Sequence, residues 1–483
     1  MKHRIRTLFA AALLLVSGVA PQAASATALS VVSTATSAFG ANVVISGVNS
    51  SKLVSVAFTI APKLGATAKA ISATYSKTYL ANAGLLSAGA GTVTLQVFGL
   101  YPGYNNTITI AYRERSTRAT LTTHVLTSTY DGVFSAESRT VDVPRNSSVK
   151  LDYSYMLTKQ GWNGYSPMVL DIDGNIRWIN ATGWTQNAFL WDNVLYFSGG
   201  TSIYKEVLGG SPTLVADYYA SDGVTGFHHN FDPGKNGLLV DVDAGPHQES
   251  TILEIDKDGA VLETWDISTI VRNAISAGGG NPSGLVRDNE DWFHNNAATY
   301  WKSKDTVVIS GREDFVIGIG YSDKKIKWIL GDTTKAWYVN YPSLQKYALQ
   351  LTGSSLPPIG EHAVSITSDG NLMLFDNGRA SNNQWPAGID RGYSAPRKYS
   401  IDTRRMRATE VWNYEHGQTL YSDYCSNVYE VKDSLLVNYA NERGGLRLVG
   451  LGKGGQTAFE WHYPLGCGDA WNIRPISLDA LNY

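Results

Sequence analysis

The sequence predicts an all-β protein, a six-bladed β-propeller preceded by a small N-terminal β-sandwich. Three observations predict this fold: short strand-like runs recur along the chain, tight polar turns separate them, and a hairpin motif ending in an aromatic residue repeats six times. The composition agrees, because only 17% of the 483 residues are charged while Gly (47), Tyr (27) and Trp (13) are frequent. Short strands packed by aromatic rings use residues in this way.

The first 26 residues have the pattern of a signal peptide. A basic start precedes an apolar run from Leu8 to Val19 and a small-residue cleavage site at Ala24-Ser25-Ala26. The apolar run is too short to cross a bilayer. We therefore expect a periplasmic or secreted protein with no membrane span. The net charge of −2 gives no reason to expect nucleic acid as a partner.

Residues 27–130 predict the sandwich. This segment is rich in Ala, Thr, Ser and Val, contains no Trp, and carries alternating runs such as Leu53 to Phe58 and Thr107 to Tyr112. Short strands with frequent turns are typical of a β-sandwich. Residues 131–150 are interpreted as a linker, and 151–483 as the propeller that carries the chemistry.

The repeat in the second part consists of a strand, a tight polar turn and a second strand with a closing aromatic residue. This is the outer hairpin of a propeller blade. The spacing between closing aromatics is uneven, so we expect long insertions at 268–290 and 333–360, where loops are usually functional or disordered. A helix is expected from Ile267 to Ala277, and a second one from Ser343 to Leu351. The six closing aromatics are Trp178, Tyr218, Trp265, Trp328, Trp412 and Trp461.

Four of the nine histidines stand at the starts of strand-like runs. They are His228, His229, His294 and His362, and Arg312 follows in the run after His294. If these runs are radial strands of a toroid, their first residues meet near one axis. A few imidazoles and one guanidinium would then share a pocket suited to an anion and to proton transfer.

The residues alone leave three interpretations of this cluster open. Three histidines could bind zinc or copper, with Asp291 or Glu361 as the carboxylate of a metal-dependent hydrolase or lyase. The permanent cation of Arg312 favours a bound sulfate or phosphate and repels a metal, and it leaves a neighbouring imidazole neutral and able to attack. In a non-catalytic binding propeller for glycans or a partner protein, the same histidines would not converge.

The chain has two cysteines, Cys425 and Cys467. Export permits a disulfide between them, and two free thiols are the open alternative. There is no Cys/His spacing typical of a structural zinc site.

Several motifs around the histidines resemble those of the bacterial aryl-sulfate sulfotransferases that do not use phosphoadenosine-phosphosulfate. The likeness covers nearly the whole mature chain and implies the same sandwich and propeller. The motif with Arg eighteen residues after its histidine is fairly specific. The similar segments are Phe227-His-His-Asn230, Asp291-Trp-Phe-His-Asn-Asn296, Ser310-Gly-Arg312, Lys325-Ile-Lys-Trp-Ile-Leu-Gly331, Glu361-His-Ala363 and Phe375-Asp-Asn-Gly378.

This resemblance implies roles for the site residues. His362 matches the nucleophile that carries the sulfuryl group as a sulfohistidine, and His294, Asn296 and Arg312 match sulfate-binding residues. One of His228 and His229 matches a further active-site histidine, and we favour His229. The implied reaction is ping-pong between an aryl sulfate donor and a phenolic acceptor, without a cofactor, in a chain that could form a homodimer. Rates should fall on acidification as the nucleophile is protonated.

The chain departs from the family pattern in two places. The family has a cysteine pair in the loop before the nucleophile, whereas 333–361 contains no Cys. The family also has a hydroxyl residue on the sulfate where this chain reads Tyr424-Cys425-Ser426. Either Ser426 supplies that hydroxyl and leaves Cys425 to pair with Cys467, or Cys425 occupies the place and one hydrogen bond weakens.

Overall fold

The computed structural model describes residues 28–131, 139–158, 167–180, 187–464, 466–467 and 472–483. Strands dominate these residues, so the predicted all-β class is confirmed. The expected signal peptide (1–26) lies outside the described residues. Within the described ranges, no helix has the length and apolar character needed to cross a membrane.

Two sheets form the N-terminal sandwich, and alternation along their strands builds its core. In β3 (Leu53–Ile60), for example, Val56, Phe58 and Ile60 are fully buried, because every second side chain of a strand points to the same face. The first sheet has the order β1 (Ser30–Ala35), β2 (Gly40–Ser46), β6 (Thr92–Phe98), β5 (Leu86–Ser87). The second has the order β35 (Leu481–Asn482), β4 (Ile71–Ser76), β3 (Leu53–Ile60), β7 (Asn105–Glu114), β8 (Arg118–Leu126).

The other described strands form six sheets of four or five strands, which are antiparallel except for one short edge strand, Gln350–Leu351, that pairs in parallel. The first three sheets contain β34 (Arg474–Ile476), β10 (Tyr155–Thr158), β11 (Met168–Asp171), β12 (Ile176–Ile179); β13 (Ala188–Trp191), β14 (Val194–Gly199), β15 (Ser202–Glu206), β16 (Thr213–Asp217); and β17 (Val224–Pro233), β18 (Leu238–Ala244), β19 (His247–Ile255), β20 (Val261–Asp266).

The last three sheets continue in the same pattern. They contain β21 (Asn295–Trp301), β22 (Thr306–Gly311), β23 (Phe315–Gly320), β24 (Ile326–Leu330); β26 (His362–Ile366), β27 (Leu372–Asp376), β28 (Ala395–Asp402), β29 (Arg407–Asn413), β25 (Gln350–Leu351); and β30 (Asn427–Val431), β31 (Ser434–Glu442), β32 (Gly445–Leu451), β33 (Thr457–Tyr463), β9 (Thr140–Val143).

The first strands of consecutive sheets pack against one another, which gives the propeller arrangement. Strand β17 contacts β13 and β21, β26 contacts β21 and β30, and β34 near the C-terminus contacts β30. Because β34 pairs with β10, the end of the chain completes the first sheet. The count of six blades stays a prediction, as do the domain boundaries.

Two pairings lie outside the predicted elements. Thr140–Val143, within the segment interpreted as a linker, forms a strand on the outer edge of the sixth sheet. Leu481–Asn482, in the segment assigned to the propeller, pairs in parallel with β4 of the sandwich. These short strands carry no hairpin signal, since their partners are far away in sequence.

The closing aromatics fall in or directly after the fourth strand of each sheet, as the repeat predicts. Trp265, Trp328 and Trp461 are almost fully buried there. The predicted helix is confirmed as α3 (Ile267–Ala277), where the Asp266 side chain accepts from the Thr269 N–H as an N-cap. The second expected helix, Ser343 to Leu351, is wrong beyond its first turn, because α5 covers only Pro342–Gln345 and Gln350–Leu351 is a strand. The other α-helices of the described ranges are α1 (Lys77–Asn82), α2 (Tyr219–Asp222) and α4 (Ala336–Val339).

Arg177 joins the sandwich to the first propeller sheet. Its guanidinium is 1% exposed, donates to the Gly99 carbonyl from Nε (3.0 Å) and Nη2 (2.7 Å), and lies 3.6 Å from the centre of the Tyr101 ring. An ion pair to buried Asp171 at 3.3 Å balances its charge. The two units therefore share a buried polar contact, which fixes the first sheet against the sandwich.

Candidate functional site

Each of the three histidine motifs lies at a bulge in a first strand of its sheet. The register shifts between Phe227 and Phe231 in β17, between Asn295 and Ala297 in β21, and between His362 and Ser365 in β26. A bulge adds residues to one strand and turns its side chains away from strict alternation. The motifs are therefore where the inner strands redirect side chains toward the axis.

The backbone at these entries is left-handed in residues other than glycine. Such conformations are uncommon, cost free energy, and concentrate at functional sites. They re-aim neighbouring side chains to the same side of the chain. The residues with positive φ around the site are His229 (46°), Glu249 (42°), His294 (55°), Ala363 (57°), Cys425 (66°) and Asn472 (49°).

Three of the four candidate histidines come together, and two of them, His229 and His362, line a small cavity. The Nε2 atoms of His229 and His294 are 3.0 Å apart, and the ring centres of His229 and His362 are 6.3 Å apart. The structure thus brings together imidazoles from three different sheets. The cavity is lined by His229, Asn230, Asn296, His362, Ala363, Cys425, Ser426 and Asn472.

The hydrogen bonds of His362 fix its tautomer. Its Nδ1 lies 2.8 Å from Asn377 Oδ1 and 3.1 Å from the Gly360 carbonyl oxygen. The Asn377 amide is oriented by its Nδ2, which donates to the Ser422 carbonyl at 2.6 Å. Both oxygens can only accept, so Nδ1 carries the proton and Nε2 presents a lone pair. That lone pair accepts from the Cys425 N–H at 3.2 Å.

His362 is also held in its neutral form. Burial lowers its pKa well below the ordinary value of 6.5, and His229, Arg312 and His294 lower it further. An uncharged imidazole with a directed lone pair is what nucleophilic attack requires.

His294 carries the opposite charge state because two carboxylates meet its Nδ1. Glu249 Oε2 lies at 2.6 Å and Asp291 Oδ2 at 2.5 Å. Burial opposes the charged form, but Glu249 and Asp291 outweigh burial and raise the pKa of His294 to about 9. Glu249 is half-buried, which opposes its charged form, yet its pKa lies well below 4.5 because His294 and His228 are beside it. His294 is therefore an imidazolium at neutral pH.

His229 is neutral and accepts from His294. Burial lowers its pKa to about 3, against the opposing effect of Glu249. Its Nε2 lies 3.0 Å from His294 Nε2 and 3.3 Å from Glu249 Oε2. It cannot accept from one and donate to the other at once. The protonated His294 supplies the donor for the shorter contact, so His229 Nε2 holds a lone pair.

The other predicted residues take different places. Asn296 lines the cavity and donates from Nδ2 to the Glu361 carbonyl at 2.8 Å. Ser426 also lines it, and its Oγ lies 2.8 Å from Ser422 Oγ. Arg312 is outside the described cavity lining. Its Nε and Nη2 pair with Glu313 Oε1 at 2.9 and 2.7 Å, and its backbone N–H donates to the His294 carbonyl at 3.1 Å.

The two cysteines form a disulfide, Cys425–Cys467, at the edge of this cavity. Cys425 is therefore paired and is not a free thiol. Within the Tyr424-Cys425-Ser426 segment, the hydroxyl that lies at the cavity is that of Ser426. The Cys425 backbone N–H, rather than its side chain, reaches His362.

Two overlapping sets of side chains have the ligand types of a metal site. His228, His229 and Glu249 form one set, and Glu249, Asp291 and His294 form the other, each with ligand atoms within 4.8 Å of one another. Glu361, considered as a carboxylate for such a site, is fully buried, and neither of its oxygens has a hydrogen-bond partner among the described residues.

Glu249 and Asn377 set the charge and tautomer of the site, and sequence reasoning missed both roles. Asn377 belongs to the Phe375-Asp-Asn-Gly378 motif. Its role could have been predicted from its position, because it is a polar residue at the end of the strand that pairs with the His362 strand. Glu249 follows the Gly245-Pro246 turn after β18, and nothing local in the sequence marks it.

Comparison with known proteins places this site in a family. Residues 140–447 match the family model of arylsulfotransferase (ASST), and residues 36–130 match that of the arylsulfotransferase Ig-like domain. The chain belongs to the arylsulfotransferase family. The resemblance inferred from the histidine motifs is thereby confirmed.

Two curated relatives are bacterial proteins named arylsulfate sulfotransferase AssT. The one from Escherichia coli O6:H1 is 26% identical over 247 residues, which is 42% of this chain and 40% of the relative. The one from Lelliottia amnigena is 27% identical over 226 residues, 38% of each chain. The alignments thus span about two fifths of these relatives. The β-propeller domain of Myceliophteria thermophila Cps50 (Swd1) aligns with TM-score 0.33 at 8% identity, covering 70% of this chain and 89% of that one.

Proposed function

We propose that this protein is an aryl-sulfate sulfotransferase that moves a sulfuryl group from an aryl sulfate to a phenol through a sulfohistidine on His362. Family membership supports the reaction class. The observation that carries the mechanism is the geometry of His362: two acceptor oxygens hold its proton on Nδ1, so Nε2 of this cavity-lining residue holds the lone pair. In the reaction this lone pair exchanges its hydrogen bond from the Cys425 N–H for the bond to sulfur. An imidazole held in this way is a nucleophile that needs no separate base.

The positive side of the proposed site is His294. Two carboxylates on Nδ1 keep it protonated, and its Nε2–H points at His229 beside the cavity. A sulfate oxygen in place of His229 Nε2 would receive a charge-assisted hydrogen bond. Sulfuryl transfer, like phosphoryl transfer, depends mainly on positioning and on cations around the equatorial oxygens. Arg312 adds charge at longer range, Asn296 and Ser426 provide polar groups on the wall, and His229 is assigned in preference to His228.

The first half-reaction forms the bond between His362 Nε2 and sulfur while the bond between sulfur and the aryl oxygen breaks. The electron pair leaves on the phenolate, which takes a proton from His294. In the second half-reaction the acceptor phenol gives its proton to His294 and its oxygen attacks sulfur. The N–S bond breaks and returns the lone pair to His362. The pKa of His294, about 9, is close to that of a phenol, about 10, so this proton exchange is nearly balanced in either direction.

The test is transfer from 4-nitrophenyl sulfate to phenol in the presence of a chelator. The wild type should release nitrophenol, form phenyl sulfate, and yield a His362 peptide heavier by one sulfuryl group when the acceptor is omitted. His362→Asn should lose both, whereas His124→Gln, a substitution in the sandwich strand β8, should retain both. Transfer that survives in His362→Asn, or a label on another residue, contradicts the proposal. Activity that requires a metal and gives no labelled peptide would favour the metal-dependent hydrolase or lyase instead.

We further propose that the mature protein works outside the cytoplasm, in the periplasm or after secretion. The Cys425–Cys467 disulfide supports this, because such bonds persist in oxidising compartments. Expression with and without residues 1–26 tests it. The full chain should leave the cytoplasm with its N-terminus cleaved near Thr27, and recovery of both forms uncleaved in the cytoplasm contradicts the proposal.

A further inference from the structure

Two adjacent histidines in β17 point to the same side of the chain. Phe227 pairs with Val242 and Phe231 with Val240, so four steps along β17 match two along β18. Neighbouring residues of a regular strand face opposite ways, but this bulge and the positive φ of His229 (46°) remove the alternation. One ring nitrogen of His228, one ring nitrogen of His229 and a carboxylate oxygen of Glu249 all lie within 4.8 Å of one another.

Glu249 is held in place for this contact by its own backbone. Its φ of 42° is left-handed, and its N–H donates to Asp243 Oδ1 at 2.7 Å. Its Oε2 lies 3.3 Å from His229 Nε2. Asp243 Oδ1 in turn lies 3.7 Å from His228 Nε2, which is beyond hydrogen-bond distance. A second negative charge therefore stands beside the two imidazoles.

His228 has no other described role at this position. The residue is 8% exposed, and neither of its ring nitrogens has a hydrogen-bond partner among the described residues. It is also outside the described lining of the cavity next to His362. A buried polar group without a partner costs about 1–3 kcal/mol, so such a group needs a physical explanation. A role of His228 as the ligand of a bound ion explains the missing partner, and the imidazole and carboxylate beside it are side chains that bind such an ion.

We propose that His228, His229 and Glu249 form a binding site for a divalent transition metal of the zinc type. Two imidazoles and one carboxylate are a known zinc ligand set, with a fourth position left to water or substrate. Two cations oppose a metal at this site. The guanidinium of Arg312 is paired with Glu313 Oε1 at 2.7 Å, and the imidazolium of His294 lies 3.0 Å from His229 Nε2, so the metal must displace the hydrogen bond between these two rings.

Occupancy of this site conflicts with the proposed transfer reaction. His229 Nε2 and Glu249 Oε2 would turn to the ion, while in the structure both contact His294. His294 would lose a carboxylate partner, and the ion would stand beside the position proposed for sulfate. Zinc should therefore inhibit reversibly. Binding itself requires only the three ligands and does not depend on the proposed function.

The experiment is calorimetric titration of the chelator-treated full chain with Zn²⁺, without substrate. The wild type should bind one Zn²⁺ per chain. His228→Gln and Glu249→Gln should each weaken binding at least tenfold, and His124→Gln should match the wild type. Equal affinity in all four proteins, or no binding by the wild type, overturns the proposal. If a variant fails to fold, the absorption spectrum of Co²⁺ bound to the wild type tests the site instead. A spectrum that shows fewer than two imidazole ligands contradicts the assignment.

Transfer from 4-nitrophenyl sulfate, measured with and without Zn²⁺, separates the two proposals. Inhibition that a chelator reverses supports the inferred competition, and activation by Zn²⁺ overturns it. If no transfer occurs under any condition, the proposed function fails, while the titration still decides whether the metal site exists.

Discussion

Replacing Glu361 with Gln should change how the stability of the propeller depends on pH. Glu361 precedes His362, is fully buried, and has neither carboxylate oxygen hydrogen-bonded within the described residues. Burial raises its pKa to about 7 from 4.5, although Lys335 opposes this, and Asp376 and Asp332 raise it further. The folded protein therefore binds this proton more tightly than the unfolded chain does.

The size and sign of the effect follow from linkage. Below pH 4.5 the carboxyl is protonated in both states and its contribution to stability is fully present. As pH rises through about 7 the folded state must ionise a buried group, and the contribution is lost. A pKa difference of this size at about 1.4 kcal/mol per unit amounts to about 3 kcal/mol. Relative to Glu361→Gln, the wild type should lose that amount of unfolding free energy between pH 4.5 and 8.

Urea unfolding followed by tryptophan fluorescence measures this difference. All 13 Trp residues lie beyond residue 130, so the signal reports the propeller and not the sandwich. Glu415→Gln is the matched control. Hydrogen bonds from Gln418 and Tyr393 outweigh partial burial and lower the pKa of Glu415. The difference in unfolding free energy between the wild type and Glu415→Gln should therefore not change with pH above about pH 5.5. Parallel curves for wild type and Glu361→Gln across pH 4.5–8 would refute the reasoning.

Three further predictions concern the site and its support. Asn377→Leu removes the acceptor that orients His362 Nδ1, at a cost of about 1–3 kcal/mol. The value of kcat/KM should therefore fall roughly 5- to 150-fold. An unchanged value would exclude the assigned tautomer. Because the pKa of His362 is lowered, the fall of initial rates on acidification, measured in chelator, should have its midpoint well below pH 6.5; a midpoint at or above 6.5 would contradict the lowered pKa. Cys425→Ala with Cys467→Ala opens a link between residues 42 apart in sequence, so fluorescence-detected unfolding should show a loss of about 4 kcal/mol, and unchanged stability would count against the bridge.

The sequence predicted what is local and repetitive. The six hairpins ending in aromatic residues and the helix Ile267–Ala277 depend on turns and periodicity, which neighbouring residues carry. The convergence of His229, His294 and His362 was also predictable. Two of the motifs open the strands β21 and β26, while the His228-His229 motif lies within β17. A propeller brings its inner strands together regardless of their separation along the chain.

What the sequence could not predict depends on side chains that meet across sheets. Glu249 sets the charge of His294 from 45 residues earlier in the chain, at a position marked only by its left-handed backbone. Arg312 is expected to bind the anion, and the ion pair of its guanidinium with Glu313, its neighbour in sequence, was not predicted. The protonation states of the histidines also could not be predicted, because they depend on distances between side chains.

Burial by itself disfavours the charged form of both His362 and His294, yet the two rings end in opposite charge states. The partner of Nδ1 makes the difference. A neutral amide oxygen from Asn377 meets His362, and two carboxylates meet His294. An amide oxygen orients a proton without adding a charge to stabilise the cation, while a carboxylate does both. A lone pair and a positive charge can thus stand on either side of His229 at one pH, as attack on a sulfate ester requires.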